Sequence, residues 1–136
     1  MSRAELLRDI EAIISGAGFE LSNSEAPMTF KKNVSYPGLI AGKNEIAHFL
    51  LFTNTGTVQI TAKWQEVSGT AIEKLGHTVL DAQHTQHTQH QSYFVACGGG
   101  KLVTRAIDYL NAHRTLAPRL RAMQVKELES ALEEII

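Results

Sequence analysis

The sequence predicts a small α/β domain. Three observations predict it: apolar runs of strand length, apolar residues that recur at helical spacing, and the alternation of these patterns along a chain of 136 residues that is 43% hydrophobic. A chain of this length corresponds to one domain, here residues 1–136, and can bury a substantial core. We therefore expect a sheet with helices packed against it.

The N-terminal half begins with a capped helix. Ser2 can cap it, Glu5 completes a capping box, and apolar residues recur at helical spacing until two glycines end it. A turn-rich stretch follows, with a short strand near 28–36. Two clear strands come next, near 45–53 and 57–64; the first is an almost continuous apolar run and the second alternates apolar and polar residues. The short polar turn between them contains glycine and predicts an antiparallel hairpin.

The C-terminal half alternates helices with one more strand. A helix is predicted over 72–81 or beyond, a strand near 91–97 that three glycines close, and a helix near 101–113. A proline then opens a last helix, about 117–136, appended to a core of about 1–113. We expect this helix to dock on the domain or on a second copy, and therefore a homo-oligomer. Its apolar stripe is Leu120, Met123, Leu128, Leu132 and Ile135.

Composition narrows the classes of function. Thirteen basic and fourteen acidic residues give a net charge of −1, which excludes a strongly cationic nucleic-acid coat and leaves room for a local basic groove. The single cysteine, Cys97, excludes an internal disulfide and a cysteine-based zinc site. No apolar stretch approaches the roughly 20 residues that span a bilayer, and the N-terminus lacks an apolar signal core. We therefore expect a cytoplasmic protein that does not enter membranes.

One stretch carries a resemblance to a known family. Residues 63–75 read Lys-Trp-Gln-Glu-Val-Ser-Gly-Thr-Ala-Ile-Glu-Lys-Leu. This resembles the PD-(D/E)XK nuclease superfamily, in the branch whose third core strand reads Glu-Cys-Lys-Trp-Gln and is followed by Ser-Gly-Ser-Val-Asp-Glu-Lys. Residues 94–100 resemble that branch's strand ending in Asp-Gly-Gly-Gly, and 106–110 resemble its Ala-Ile-Glu-Trp-Leu helix. The resemblance covers about residues 45–112.

The resemblance implies a restriction-endonuclease-like core, with a mixed four-stranded sheet and a metal-dependent phosphodiesterase site. In that family an aspartate and a glutamate hold Mg²⁺ or Mn²⁺, and a lysine orients the attacking water. The family lysine corresponds to Lys63 and the following glutamine to Gln65. The family glutamate, however, falls at Thr61 and the aspartate at His48, and Cys97 replaces the aspartate of the glycine-rich strand. Two hard oxygen ligands are therefore missing, and the resemblance implies a degenerate site.

Other acids could substitute for the missing pair. Glu45 lies three positions before His48, so on a regular strand it points to the opposite face, roughly 10 Å away. Glu73, on the predicted helix 72–81, could reach the site from the side, and Glu11 could face it from the first helix; these two are the candidate metal ligands. The candidate catalytic residues are Lys63, Gln65 and Glu73, with His48 and Thr61 at the positions of the family acids. Alternatively, the lysine and glutamine form only the polar face of a half-buried strand, and Cys97 is a buried small hydrophobe.

A histidine tract is the second candidate site. On a helix, His84, His87 and His90 would lie at i, i+3 and i+6 and spread over about 120° of one face. Neighbouring pairs could then chelate Zn²⁺, Ni²⁺ or Cu²⁺. The alternative is a loop between two elements, whose repeats expand at little cost and bind such metals adventitiously.

Three functions stay open at this point. The first is a nuclease-like protein that acts in DNA transactions of microbes and their mobile elements, with a site that we expect to be inactive, although a metal-dependent deoxyribonuclease is the other outcome. The second is a non-enzymatic binding or assembly protein that keeps the nuclease scaffold. The third is a transition-metal binder that uses the histidine tract.

Overall fold

A computed structural model describes most of the chain, namely residues 2–40, 42–65, 70–85, 90–99 and 103–136. In chain order the elements are α1 (Arg3–Gly16), β1 (Glu20–Leu21), β2 (Thr29–Pro37), β3 (Asn44–Phe52), β4 (Thr57–Gln65), α2 (Thr70–Thr85), β5 (His90–Gly99), α3 (Val103–Ala112), β6 (Leu120–Gln124), a 3-10 turn (Val125–Glu127) and α4 (Leu128–Ile135). None of the described helices combines the length and the apolar character that crossing a bilayer requires.

The strands form one mixed sheet in the order β1-β2-β3-β4-β5-β6. β2, β3 and β4 pair antiparallel, whereas β4, β5 and β6 pair parallel, with α2 and α3 as the connections between parallel neighbours. The predicted α/β class and the four predicted strands are confirmed. The described sheet has six strands rather than four, because the two-residue β1 pairs with β2 and β6 pairs with β5.

Helix α1 shows why the sequence folds as it does on one side of the sheet. The Ser2 hydroxyl accepts a hydrogen bond from the Glu5 backbone N–H at 3.2 Å, which confirms the predicted cap. Leu6, Ile10 and Ile14 recur at helical spacing and are fully buried, each contributing about 1.5–3 kcal/mol. They pack with α4 and with apolar residues of β2 to β6, and α2 and α3 cover a second cluster on the opposite face.

The predicted helix over 117–136 is wrong in its first part. Residues 120–124 form strand β6, and only residues 128–135 form the helix α4. Leu120 and Met123 are three apart and so fit a helical stripe, but on a strand an odd spacing sends them to opposite faces. Leu120 is buried in the α2–α3 cluster and Met123 in the α1–α4 cluster. A strand at residues 120–124 therefore contributes side chains to the apolar clusters on both faces of the sheet.

The apolar stripe of α4 is used inside the domain. Leu128 and Leu132 are fully buried together with residues of α1. The stripe that predicted a docking helix is thus already covered, and it gives the predicted homo-oligomer no support. A homo-oligomer through this helix stays a prediction.

Strands β3 and β4 separate at one end of the sheet. Their pairing runs from Phe52–Thr57 to Phe49–Ile60, although β3 begins at Asn44 and β4 continues to Gln65. The first half of β3 stays paired with β2 as far as Pro37–Asn44. We call this separated part, residues 33–37 and 44–48, the β2–β3 arm. It diverges near Asn33, whose φ of 54° lies in the left-handed region that asparagine tolerates.

Candidate active-site cleft

A cleft of about 740 Å³ lies where the β2–β3 arm leaves β4. Its wall consists of residues from the arm, from β4 and from the first two turns of α1. The residues that matter for the chemistry are Arg3, Glu45, His48, Thr61, Lys63 and Trp64. The structure therefore brings together three of the predicted site residues, His48, Thr61 and Lys63.

The strand period explains this juxtaposition. Thr61 and Lys63 are two apart on β4 and share a face of the strand. Phe49 pairs with Ile60, so His48 and Thr61 are the next residues that face each other as the strands begin to diverge. The two positions that the resemblance aligns with the family's metal-binding acids are therefore neighbours in this fold, beside Lys63.

The ring of His48 takes the place of a backbone hydrogen bond where β3 and β4 separate. Its Nδ1 accepts a hydrogen bond from the Ala62 backbone N–H at 2.9 Å. Burial lowers the pKa of His48 below its usual value, and the nearby charges of Arg3 and Lys63 lower it further. The ring is accordingly neutral near pH 7. With Nδ1 accepting, the hydrogen is on Nε2, which is a donor.

His48 should make the stability of the fold decrease in mild acid. Because folding lowers its pKa from 6.5, the unfolded chain binds more protons between the two pKa values, so the free energy of unfolding rises with pH in that window. The contribution is complete above pH 6.5 and is lost as the pH falls toward the folded-state pKa. Urea unfolding between about pH 5 and pH 7.5 should show a shallower pH dependence for His48→Gln than for the wild type. Equal slopes would contradict the assignment.

The described cleft residues do not fit a Mg²⁺ ion. Magnesium prefers carboxylate and water oxygens, yet the two acid positions carry an imidazole and a hydroxyl. His48 Nδ1 already accepts from a backbone amide, and Thr61 Oγ1 accepts from Gln59 Nε2 at 3.4 Å. Across the described ranges, no group of three or more His, Cys, Asp or Glu residues could hold a metal ion.

Glu45 lines the same cleft as His48, as do its neighbours Asn44 and Ile46. Because residues of both parities line the cleft, the expectation that Glu45 faces away from His48 stays a prediction. The carboxylate is nevertheless engaged, since Glu45 Oε1 lies 2.9 Å from His77 Nε2 of α2.

The other predicted acids are not seen at the cleft. Glu11 lies on α1 with its carboxylate 3.1 Å from Lys32 Nζ, and it is not among the lining residues. Gln65 ends β4 and Glu73 lies in the first turn of α2, but their side chains are outside the described part of the structure. Their predicted roles therefore stay predictions.

The histidine tract does not form one helical face. His84 is exposed in the last turn of α2, which ends at Thr85, and His90 begins strand β5. The i, i+3, i+6 arrangement is therefore wrong for His90, because the chain leaves the helix before it. His87 and the side chain of His90 lie outside the described residues.

Cys97 is a buried small side chain, as expected. It is 1% exposed and pairs in register with Lys63 of the neighbouring strand. Burial raises the pKa of the thiol to about 12, and the Lys63 charge only partly opposes this. The thiol is therefore protonated at neutral pH and is not a nucleophile.

A buried polar cluster beside the cleft was not predicted from the sequence. Asp81 of α2 is 3% exposed, and its Oδ2 accepts hydrogen bonds from Tyr36 Oη and, at 2.7 Å, from Tyr93 Oη. Gln59 Nε2 donates to Tyr36 Oη at 3.1 Å. Burial raises the pKa of both tyrosines, so their hydroxyls stay protonated donors. These four residues, the Asp81 cluster, fasten the arm to α2; the only sequence signal was an aspartate beside an apolar helical stripe.

Known proteins resemble this chain in sequence family and in fold. A family model described as PD-(D/E)XK nuclease superfamily domain matches residues 2–135. A solved crystal structure of a protein of unknown function, AF1548, is similar with a TM-score of 0.50 and 11% sequence identity. The alignment covers 86% of this chain and 56% of that one, so this chain spans little more than half of that protein, and the likeness concerns the fold alone. No curated protein matches this chain.

Proposed function

We propose a function that starts from one premise: this chain belongs to the PD-(D/E)XK nuclease superfamily. That membership confirms the predicted superfamily and the predicted restriction-endonuclease-like fold. The protein is a nuclease-like protein that acts in DNA transactions, and its metal-dependent phosphodiesterase site is impaired. Mg²⁺ or Mn²⁺ would be its cofactor only if acids outside the described residues, with Glu73 the first candidate, complete the site.

One observation carries this proposal. His48 and Thr61, which the resemblance aligns with the two family acids, line one cleft with Lys63. Neither supplies a carboxylate, whereas the lysine, which contacts phosphate charge in the family, is retained. A cleft that keeps the cation and has exchanged the metal ligands is suited to hold a DNA backbone and poorly suited to cut it.

The charges around the cleft also favour a nucleic-acid backbone. The net charge of −1 provides no general attraction, so the attraction must be local. Arg3 and Lys63 line the cleft together, and the carboxylate of Glu45 is paired with His77. Leu7 and Trp64 add apolar surface against which a sugar or base can pack.

A cleavage and binding experiment tests the proposal. Linear, nicked and branched DNA are incubated with the protein and Mg²⁺ or Mn²⁺, and binding is followed by fluorescence anisotropy in the same buffers. We expect binding that weakens with salt, no cutting, and a loss of about tenfold in affinity for Lys63→Ala. The matched control is Lys126→Ala, which removes an exposed lysine that does not line the cleft.

Two results would contradict it. Metal-dependent cutting that disappears in Lys63→Ala would mean that other acids have rebuilt the site, and Glu73 would be the next residue to change. Absence of DNA binding by folded protein would remove the role in DNA transactions.

A second candidate function is a non-enzymatic binding or assembly protein. An apolar groove of about 570 Å³ between α2 and α3 favours it, with Leu80 51% and Leu116 48% exposed at its rim. If a second copy of this chain covers the groove, sedimentation velocity will show a dimer that Leu80→Asp dissociates. The third hypothesis, a transition-metal site in the histidine tract, stays a prediction.

A further inference from the structure

We propose that the cleft binds a phosphate group directly on Arg3, Lys63 and the Nε2–H of His48, with no metal ion between protein and phosphate. This inference rests on the proposed function, because it names the chemical group of DNA that the cleft would recognise. It departs from the metal-dependent chemistry of the superfamily, with which the described donors disagree.

The three groups belong to separate elements that border the same cleft. Arg3 begins α1, His48 comes from β3 at the base of the arm, and Lys63 comes from β4, and all three line one cleft. Arg3 and Lys63 are near enough to the imidazole for both charges to act on its pKa. Helix α1 contributes Arg3 and Leu7 to the same lining.

His48 supplies a fixed neutral donor. The hydrogen bond from the Ala62 backbone N–H holds the ring through Nδ1, so the N–H at Nε2 keeps a defined direction. A neutral donor flanked by two cations suits a phosphate oxygen, because hydrogen bonds to an ionised acceptor are stronger than those between neutral groups. The same trio repels a divalent cation and offers it no lone pair from the ring.

The one carboxylate that lines the cleft among the described residues is held to one side. Glu45 Oε1 lies 2.9 Å from His77 Nε2, on the α2 side of the arm. This contact holds the carboxylate against α2. The cleft volume of about 740 Å³ is in the range of sites for nucleotide-sized ligands, so a terminal and an internal phosphate both fit.

Inorganic phosphate is the probe for a direct test. The whole chain is titrated with phosphate in buffer that contains EDTA, with the ionic strength held constant by NaCl. The reporter is the fluorescence of Trp64, which is the chain's one tryptophan and lines the cleft. We expect saturable binding with a dissociation constant on the order of millimolar, weakened about tenfold by Lys63→Met or by Arg3→Gln.

Two control variants separate the cleft from general charge. Lys126→Met removes an exposed lysine of the 3-10 turn, and Arg121→Gln removes an arginine of β6 that is 2.9 Å from Glu134. Both should bind phosphate as the wild type does. If the controls weaken binding as much as the cleft variants, or if binding does not saturate, the proposal is overturned. Circular dichroism of every variant confirms that it is folded.

DNA competitors identify the source of the phosphate and separate this inference from the proposed function. Duplexes with a 5′-phosphate, with a 5′-hydroxyl, and closed at both ends by hairpins are compared in EDTA. Equal competition assigns the site to internal phosphodiesters, and competition by the 5′-phosphate duplex alone assigns it to terminal monoesters. Phosphate binding without DNA binding would support the inference while the proposed function fails. DNA binding that requires Mg²⁺ would overturn the inference and leave the proposed function standing.

Discussion

Replacing Asp81 with alanine is expected to destabilise the fold by about 2–4 kcal/mol, because the buried hydroxyl of Tyr93 and the half-buried hydroxyl of Tyr36 lose their acceptor, and the loss for a buried hydroxyl costs about 1–3 kcal/mol. Tyr93 is 3% exposed and donates to Asp81 from β5, and Tyr36 donates from the arm. Water cannot readily replace the acceptor of the buried Tyr93 hydroxyl. Urea unfolding of the wild type and the variant measures the difference.

Two comparisons show whether the hydrogen bonds cause the loss. Asp81→Asn keeps an acceptor oxygen for the tyrosines, so it should lose much less stability than the alanine variant. Asp108→Ala removes an exposed aspartate of α3 and should change stability by less than about 0.5 kcal/mol. If Asp81→Ala unfolds at the same urea concentration as Asp108→Ala, the Asp81 cluster does not hold the arm.

Placing carboxylates at the two positions that the resemblance aligns with the family acids is expected to create a metal site. In the double variant His48→Asp/Thr61→Glu, two carboxylates would face each other beside Lys63, and oxygen ligands of this kind are what Mg²⁺ and Mn²⁺ prefer. We expect the affinity for Mn²⁺ to rise by at least about tenfold, equivalent to about 1.4 kcal/mol. Quenching of Trp64 fluorescence by Mn²⁺ measures it, and cleavage of DNA by the double variant is a second readout.

The control for this gain has the same change in composition. His84→Asp/Thr104→Glu introduces one aspartate and one glutamate at exposed positions of α2 and α3. It should bind Mn²⁺ no better than the wild type. Should both double variants gain equally, the added charge alone would explain the effect, and His48 and Thr61 would not mark a former metal site.

Much of the fold could be predicted because its patterns are local. The capped helix α1 and the strands β2 to β5 follow from apolar periods and turn residues within short windows. Strand β6 could not be recognised in this way. The residues at 120 and 123 satisfy a helical spacing as well as they satisfy two faces of a strand, and only the presence of a core on each side of the sheet decides between them.

The candidate site was predictable where a strand is regular and not where it bends. The resemblance grouped His48 with Thr61 and Lys63, and the regular parity of β4 keeps Thr61 and Lys63 on one face of the strand. The presence of Glu45 in the cleft wall was not foreseen, since the cleft exists only because the arm separates from β4. The buried role of Asp81 was missed because its hydrogen-bond partners lie on other elements: Tyr36 is 45 positions away in the arm, and Tyr93 is on β5.

The order of the strands also bears on how the molecule reaches its folded state. Neighbours in the described sheet are neighbours in sequence, so most pairing closes short loops, a topology that favours rapid folding. The contact between α1 and α4 is different, because it joins the first and last helices in one apolar cluster. Arg3 is carried on α1, whereas Lys63 belongs to the central strands. It follows that a chain with only its sheet assembled lacks the wall of the cleft that α1 supplies, and that the proposed anion site is complete only once α1 has packed on the sheet.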